Sequence, residues 1–201
     1  MGEYLFREKM KITLFRLLSG LAVISGLLPG CATRVDREDP GREYLAFLPE
    51  HPGADLSGNK EKAAVADFKK YLSAFTRESV RRDTARVYAP DAWLNDTLKT
   101  VRGSKAIEEY FLGSVANTGE IKVVFTDVAR SGNDYYFRWV MDVKFKKFQR
   151  GKTIRTIGIT HVRFNRDGQV LLHQDYWDSA RGLFEYVPVI GGGIRFIKSR
   201  L

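Results

Sequence analysis

The sequence predicts an α+β domain in which helices cover one face of a curved antiparallel sheet. Two observations lead to this fold class. The first half of the predicted domain carries apolar residues at helical spacing, and the second half carries four runs whose side chains alternate with a period of two. Segments rich in glycine, asparagine and aspartate separate those four runs, as expected for turns between adjacent antiparallel strands. Helices followed by a strand meander are typical of α+β folds.

The helical half begins with AVADFKKYLSAFTRESV, in which Val65, Phe68, Leu72 and Phe75 follow the spacing of an amphipathic helix. DTARVYAP predicts a short helix that ends near Pro90, because proline disrupts a helix interior. AWLNDTLKTVRG is predicted to be extended, and SKAIEEYFLGSV to form another helix. These segments would supply the helical layer.

The strand-like runs are EIKVVFTDVA, DYYFRWVMDVKFKKF, TIRTIGITHVRF and QVLLHQDYW. Alternate residues of a strand share a face, so the last run places His173, Asp175 and Trp177 together. An imidazole, a carboxylate and an indole in succession predict a polar pocket. His161 alternates with Thr160 and is predicted to lie on the outer face, away from any catalytic role.

The N-terminus predicts export and lipid anchoring. Lys9, Lys11 and Arg16 precede the uncharged stretch LLSGLAVISGLLP, which is shorter than the roughly 20 apolar residues that a membrane-spanning helix requires. LPGC resembles the bacterial lipoprotein box, in which the cysteine becomes the acylated N-terminus. Cys31 is the only cysteine of the chain, and lipidation would protect its thiol. Ala32 suggests the outer membrane, by resemblance to the enterobacterial sorting rule.

These features predict three regions: a lipoprotein signal peptide over 1–30, a flexible tether over 31–62 and one domain over 63–201. The formal net charge of +9 is compatible with nucleic acid, but an envelope location makes anionic lipid head groups the better partners. Solubilising surface lysines are an equally good explanation of that charge. The predicted location is the bacterial periplasm, with the lipid in the membrane.

The cues DFKKYLSAF, VYAPDAWLND, VRGSKAIEEYF and GITHVRFNRDGQV together resemble the nuclear transport factor 2-like superfamily, over roughly residues 64–177. This superfamily includes ketosteroid isomerases, scytalone dehydratases, limonene epoxide hydrolases and SnoaL-like polyketide cyclases. The resemblance implies a cone-shaped α+β barrel with an apolar pocket between helices and sheet. It does not imply one activity, because the fold hosts enzymes and non-enzymes.

Alignment with ketosteroid isomerase implies roles for three residues. Tyr71 stands at the oxyanion-hole tyrosine, Asp96 at the general-base aspartate and Thr160 where the isomerase has a protonated aspartic acid. A threonine hydroxyl donates less acidically. His173 and Asp175 would add an acid/base pair facing Asp96, beneath an apolar roof of Trp139, Met141 and Trp177. The candidate catalytic residues are thus Asp96, His173 and Asp175, and the candidate ligand-binding residues are Tyr71, Trp139, Met141, Thr160 and Trp177.

Structural roles compete with each of these assignments. On a structural interpretation, His173 and Asp175 form a buried pair that joins strand to helix. Asp96 is then a turn carboxylate and Tyr71 a core tyrosine. Carboxylates and an imidazole that converge on open space would favour an enzyme. Backbone partners for each group would favour a carrier.

The sequence predicts no metal or cofactor, because its three histidines have no ligand spacing and the GGG of residues 191–193 lacks a phosphate-loop Lys-Ser/Thr. The tail VPVIGGGIRFIKSRL predicts a basic amphipathic helix over 189–201 that closes the cone mouth or touches membrane. Arg138, Asp142 and Lys144 on the outer sheet face predict a monomer or weak homodimer.

The predicted function is therefore binding of a hydrophobic small molecule, lipid-like or polycyclic, by a membrane-anchored periplasmic lipoprotein. If the protein is an enzyme, its chemistry would be cofactor-free isomerisation, dehydration or hydration. The alternative is a non-catalytic ligand carrier or protein-interaction module of the cell envelope.

Overall fold

The computed structural model describes residues 41–146 and 151–201, and Cys31 with the rest of the predicted leader lies outside these ranges. Residues Phe47–Leu201 form one compact unit. The helices are α1 (Arg42–Glu50), α2 (Gly58–Ser73), α3 (Arg77–Val87), α4 (Ser104–Asn117), α5 (Ser179–Gly182) and α6 (Ile190–Lys198), with a 3₁₀ turn at Phe184–Tyr186. The strands are β1 (Tyr88–Asn95), β2 (Thr100–Arg102), β3 (Thr118–Ser131), β4 (Asp134–Phe145), β5 (Ile154–Phe164) and β6 (Val170–Trp177).

The strands of the described residues form a sheet in the order β2-β1-β6-β5-β4-β3. β3 to β6 make the predicted antiparallel meander, which confirms the α+β fold class. The sheet is curved and unclosed rather than a complete barrel. β1 pairs in parallel with β6, so the sheet is mixed, a feature that the sequence pattern did not predict. This parallel pair brings Leu94 beside His173, 79 positions later in the chain.

The helices pack on the inner face of the sheet through a continuous apolar core. Phe68 of α2 and Ile107 of α4 are fully buried against Phe137 of β4 and Phe164 of β5. The Phe68 and Phe137 ring centroids are 4.7 Å apart. Burial of such side chains is the main favourable term in folding, at about 2–3 kcal/mol each. Part of this core, including Phe111, also lines a cavity between the helices and the sheet.

The ordered domain begins upstream of the predicted boundary at residue 63. Phe47 and Leu56 lie within the segment predicted to be a flexible tether, yet each is only 4% exposed. Phe47 stacks on His51, with centroids 3.7 Å apart, and on Trp93 at 5.6 Å. Residues 47–57 therefore belong to the packed domain, because Phe47 packs on Trp93 and Leu56 is part of the apolar core.

His161 points outward, as predicted, and is nevertheless buried, with its ring stacked on Tyr136 at a centroid distance of 4.9 Å. His161 Nε2 lies 2.6 Å from Asp134 Oδ1, and Arg163 Nε donates to the same oxygen at 2.5 Å. Arg163 Nη1 also donates to the carbonyl oxygens of Leu48 and His51, at 2.6 and 2.9 Å. A guanidinium there satisfies carbonyl groups at the end of α1 that have no partner within the helix. Arg163 thus fastens the N-terminal segment to the sheet.

The C-terminal segment continues from β6 over the cavity end. Gly182 and Leu183 line the cavity, and the 3₁₀ turn follows at once. α6 packs on this turn through Arg195 Nη1, which donates to the Glu185 carbonyl oxygen at 2.7 Å, and through Lys198 Nζ, which lies 2.6 Å from Glu185 Oε1. Within the described ranges, none of the helices combines the length and apolar character needed to cross a bilayer.

Candidate functional site

A cavity of about 220 Å³ opens between the helices and the inner face of the sheet. Its wall is largely aromatic and aliphatic. Seven aromatic residues contribute to it: Phe75, Tyr110, Phe111, Phe125, Trp139, Phe145 and Trp177. The volume exceeds the roughly 150 Å³ of an apolar cavity that accepts benzene and is below the roughly 300 Å³ at which drug-sized pockets begin. The cavity volume is therefore sufficient for a ligand of one ring with short substituents.

The cavity wall is built from rows of side chains that run across neighbouring strands. Trp139, Gly158 and Trp177 occupy adjacent positions on β4, β5 and β6. A Cβ on Gly158 would lie 2.3 Å from Cζ2 of Trp139, so the missing side chain is what gives this indole its place. The next row towards the core contains Thr160 and Asp175. Strand alternation thus puts two indoles beside the polar row.

A series of hydrogen bonds links five side chains beneath this wall, in the order Tyr88, His173, Asp175, Thr160 and Trp139. The Tyr88 hydroxyl lies 2.8 Å from His173 Nδ1, and His173 Nε2 lies 3.0 Å from Asp175 Oδ1. Thr160 Oγ1 donates to the same Oδ1 at 2.5 Å and accepts from Trp139 Nε1 at 2.9 Å. With its proton on Nε2, His173 donates to Asp175 and its Nδ1 accepts from the Tyr88 hydroxyl. Every polar group of the series then has a hydrogen-bond partner.

Asp175 is the member of this hydrogen-bonded series that can accept a further hydrogen bond. Its Oδ1 accepts two hydrogen bonds, whereas its Oδ2 has no hydrogen-bond partner among the residues that the structure describes. The side chain is 17% exposed and lines the cavity. One carboxylate oxygen is therefore available to a ligand, and the other fixes the orientation of the group.

Asp96 directly follows Asn95, which pairs with Gln174 of β6, and both of its carboxylate oxygens already accept hydrogen bonds. Its Oδ1 accepts from the backbone amides of Leu98 and Lys99, both at 3.0 Å, and Oδ2 accepts a short hydrogen bond from the Tyr110 hydroxyl. Burial and the bond to Asp96 raise the pKa of Tyr110, which keeps its proton in place. Trp177 Nε1 donates to the Asp96 carbonyl oxygen at 2.7 Å. This geometry is that of a turn-capping carboxylate.

Tyr71 does not reach the cavity. Its hydroxyl lies 2.6 Å from Thr84 Oγ1, and that threonine donates to the Val80 carbonyl oxygen at 2.6 Å, so Tyr71 is the donor to Thr84. Burial raises the pKa of Tyr71, and the side chain is 2% exposed. The packing of α2 on α3 thus holds this hydroxyl in the core. In contrast to Tyr71, the other candidate site residues, Met141 and Thr160 among them, line the cavity.

Sequence reasoning did not single out Tyr88 or Tyr110. Tyr88 is fully buried, and burial raises its pKa well above the ordinary value of a tyrosine, so it remains a proton donor to His173. Its position before Pro90 gave no signal, because the contact depends on the parallel pairing of β1 with β6. The sequence pattern likewise did not indicate the bond of Tyr110 to Asp96.

His161 and Asp134 form a second histidine–carboxylate pair, outside the cavity. Burial lowers the pKa of His161, and the Asp134 carboxylate partly opposes this effect. In the described part of the chain, no group of three or more His, Cys, Asp or Glu side chains is placed to hold a metal ion. The cavity residues are instead suited to contact an organic ligand through rings and one carboxylate.

Comparison with solved structures relates this architecture to known proteins. A protein with a ketosteroid isomerase-like fold from Catenulispora acidiphila, solved with trimethylamine, is 17% identical, with a TM-score of 0.52 over 60% of this chain and 88% of that chain. A nuclear transport factor 2-like protein of unknown function from Exiguobacterium is 16% identical, with a TM-score of 0.50 over 57% and 98%. At these identities the similarity concerns the fold.

A third structure, an epoxide hydrolase from Mycobacterium tuberculosis that resembles limonene epoxide hydrolase, is 13% identical, with a TM-score of 0.50 over 70% of this chain and 97% of that one. No curated protein sequence matches the chain significantly. The family model of the SnoaL-like domain matches residues 68–173, just over half of the 201 residues and most of the cavity wall. The chain therefore belongs to the SnoaL-like domain family.

Proposed function

We propose that this protein is a lipid-anchored protein of the bacterial periplasm that binds a small hydrophobic molecule in its cone cavity. The observation that carries the binding function is the cavity of about 220 Å³, walled by aromatic rings around a single available carboxylate oxygen on Asp175. Ligand sites are commonly concave, mostly apolar and equipped with a few placed polar groups. The volume of the cavity is sufficient for monocyclic ligands.

Titration with isobutylbenzene tests this function. Trp139 and Trp177 line the cavity, so binding should change the tryptophan fluorescence and raise the melting temperature, because the ligand stabilises the folded state. Val123 lies on β3 in the cavity wall, and Val123→Trp should fill the cavity and abolish binding. An unchanged response of a folded Val123→Trp domain would show that the ligand binds elsewhere. Absence of binding to the wild-type domain would contradict the proposed function.

Asp175 is the basis of a second candidate function, acid/base catalysis of hydration. Asp175 lines the cavity, its Oδ2 has no donor among the described residues, and His173 with Tyr88 and Thr160 holds the carboxylate in one orientation. As a general base, Asp175 would take a proton from a water molecule while that water attacks a strained carbon–oxygen bond. Asp175 would then return this proton, through water, to the released oxygen, which becomes a hydroxyl. Asp96 has no free oxygen for such a step and would position Tyr110 instead.

Styrene oxide, which has one ring, tests this candidate. Its hydrolysis adds water and yields the diol, so no cofactor enters the reaction. Wild-type protein should accelerate diol formation, and Asp175→Asn should reduce the rate to the uncatalysed level while isobutylbenzene binding persists. Equal rates with and without wild-type protein would favour the non-catalytic carrier.

The location is proposed from the sequence of the leader and from the C-terminal helix. Cys31 follows a basic and then an apolar segment, the arrangement of a lipoprotein signal. At the other end, Val189, Phe196 and Ile197 are 92, 62 and 61% exposed. Arg200 lies against Phe196, with the guanidinium carbon 5.1 Å from the ring centroid. An apolar helix face with a flanking cation is suited to the head-group region of an anionic bilayer.

Fractionation tests the anchor. Cys31→Ser should release the protein from membranes after a high-salt wash, since Cys31 would carry the lipid. For the helix, soluble domain should bind vesicles that contain phosphatidylglycerol, and Phe196→Asp together with Ile197→Asp should abolish that binding. Retention of the Ser variant in washed membranes would contradict the lipid assignment.

A further inference from the structure

The hydrogen-bond donors of the cavity wall are already engaged by protein acceptors. Tyr110 donates to Asp96, Trp177 Nε1 to the Asp96 carbonyl oxygen, Trp139 Nε1 to Thr160 and Thr160 to Asp175. The two remaining hydroxyls of the wall are Ser114, which donates to the Tyr110 carbonyl oxygen at 3.2 Å, and Thr118, which donates to the Ser114 carbonyl oxygen at 3.0 Å. The side-chain donors of the described cavity wall are thus bonded to protein acceptors, and the wall offers a ligand only hydrogen-bond acceptors.

The charge of the cavity has one sign. Asp96 and Asp175 line it, and no lysine or arginine does so among residues 41–146 and 151–201. Asp96 receives three hydrogen bonds, two of them from backbone amides, which disperse its charge. Asp175 Oδ2 receives none from the described protein. A carboxylate that is mostly removed from water without a cation is unfavourable, and a bound cation would offset this cost.

Aromatic rings complete this arrangement. Seven aromatic residues surround the space beside Asp175, and the two indoles are fixed by hydrogen bonds at their Nε1 atoms. Aromatic faces attract organic cations, most strongly when the cation is desolvated. A ring-lined cavity with a free carboxylate oxygen and no competing cation in its described wall therefore has the chemistry of an ammonium site.

We propose that the ligand is a small hydrophobic amine in its protonated form, whose N–H donates to Asp175 Oδ2 while aromatic rings surround its carbon groups. This inference rests on the proposed function of the cavity and narrows the ligand class. A ligand whose only polar group is an oxyanion or a carbonyl would meet acceptors and a carboxylate, and it would find no free side-chain donor in the described wall.

A pair of ligands of matched shape tests the charge. N,N-dimethylbenzylamine is protonated at pH 7, and isobutylbenzene has nearly the same shape without the charge. The amine should bind wild-type protein about tenfold or more tightly, as expected for one hydrogen bond to a charged group. Tryptophan fluorescence and the ligand-induced rise in melting temperature report both affinities.

Asp175→Asn should remove this preference, and a cooperative thermal transition shows that the variant is folded. Asp167→Asn is the matched control, because it removes the same charge in the exposed turn between β5 and β6. Leu183→Lys provides a second test that leaves the bonds of Asp175 intact. It places a cation in the cavity wall and should weaken amine binding selectively.

The outcomes separate the two proposals. Binding of isobutylbenzene with equal or weaker binding of the amine would overturn the ammonium assignment and leave the binding function standing. Retention of the preference in both Asp175→Asn and Leu183→Lys would overturn it too. Failure of both ligands to bind wild-type protein would contradict the proposed function itself.

Discussion

The two cavity aspartates differ in what surrounds their oxygen atoms, and this difference sets their roles. Asp96 uses both oxygens to hold a turn and Tyr110, whereas Asp175 uses one and keeps the other for the cavity. Stability should therefore depend more on Asp96. We expect Asp96→Ala to lower the free energy of unfolding by about 1–3 kcal/mol, because two backbone amides and a hydroxyl lose their acceptor.

Asp175→Asn should have a smaller effect, below about 1 kcal/mol, because the amide oxygen still accepts from Thr160 and His173. Urea denaturation of the two variants measures both values. If Asp175→Asn were the more destabilising change, Asp175 would be a structural joint between strands rather than a ligand group.

A single residue, His161, is expected to make the stability of the folded protein depend on pH. Its pKa is lowered in the folded state by burial, so the unfolded chain binds the proton more readily. The neutral histidine contributes stability that is fully present above the unfolded pKa of about 6.5 and is lost as pH falls towards the lowered folded pKa. The charged groups that face it are Asp134, which opposes the shift, and Arg163, which adds to it.

Thermal melts at pH 7.5 and 5.5 test this linkage. Wild-type protein should lose more stability between these values than His161→Gln, whose amide can still donate to Asp134. Because the two proteins differ only at residue 161, the difference between their pH dependences isolates His161. Identical pH dependence would show that His161 does not contribute.

At the scale of elements, β5 controls the width of the cavity through Gly158. A side chain at this position would overlap the Trp139 ring, since even a Cβ would approach Cζ2 to 2.3 Å. We expect Gly158→Ala to displace Trp139, shift its fluorescence and lower stability by about 1–3 kcal/mol, the usual range for overpacking. Gly119→Ala on β3 is the control, because its Cβ would meet only the Lys144 carbonyl oxygen at 3.7 Å. A Gly158→Ala domain with wild-type stability and fluorescence would contradict this role.

The segment 47–57 behaves as an element of the domain rather than as a linker. Phe47 packs between His51 and Trp93, and Arg163 binds the carbonyl groups that follow it. Phe47→Ala should therefore destabilise the domain by about 3–5 kcal/mol, as for other buried phenylalanines. Glu50→Ala, at an exposed position of the same helix, should be close to neutral. Equal melting temperatures for the two variants would restore the tether interpretation.

At the scale of the whole molecule, the outer sheet face governs self-association. Arg138, Asp142 and Lys144 are paired across strands with Asp127, Arg155 and Glu120. Between these pairs, Val124, Ile157, Ile159 and Tyr176 are exposed. Stable dimers bury about 800 Å² per partner with an apolar centre. The interspersed charges interrupt this surface, so we expect a monomer or a weak dimer.

Sedimentation of the soluble domain measures the association. The expected result is a concentration-dependent shift towards monomer on dilution, and Ile157→Lys should shift it further. A tight dimer at nanomolar concentration would show that the exposed apolar side chains outweigh the charge pairs.

The sequence by itself determined the elements whose pattern is local. Apolar spacing in AVADFKKYLSAF, alternation in VLLHQDYW and the turn residues between strands defined the α+β class and put His173, Asp175 and Trp177 on one face. The leader and Cys31 are likewise properties of the sequence, and the lipid anchor remains a prediction from it. These inferences succeed because periodicity and turn chemistry act over a few residues.

The tertiary structure decided how those faces are used. Tyr88 meets His173 only because β1 pairs in parallel with β6, and the packing of α2 on α3 directs Tyr71 to Thr84 instead of the cavity. His161 is buried where it stacks on Tyr136 and contacts Asp134, which no strand pattern indicates. Hydrogen-bond partners come from residues far apart in sequence, so only the folded chain shows that both oxygens of Asp96 accept hydrogen bonds and that Asp175 Oδ2 has no donor among the described residues.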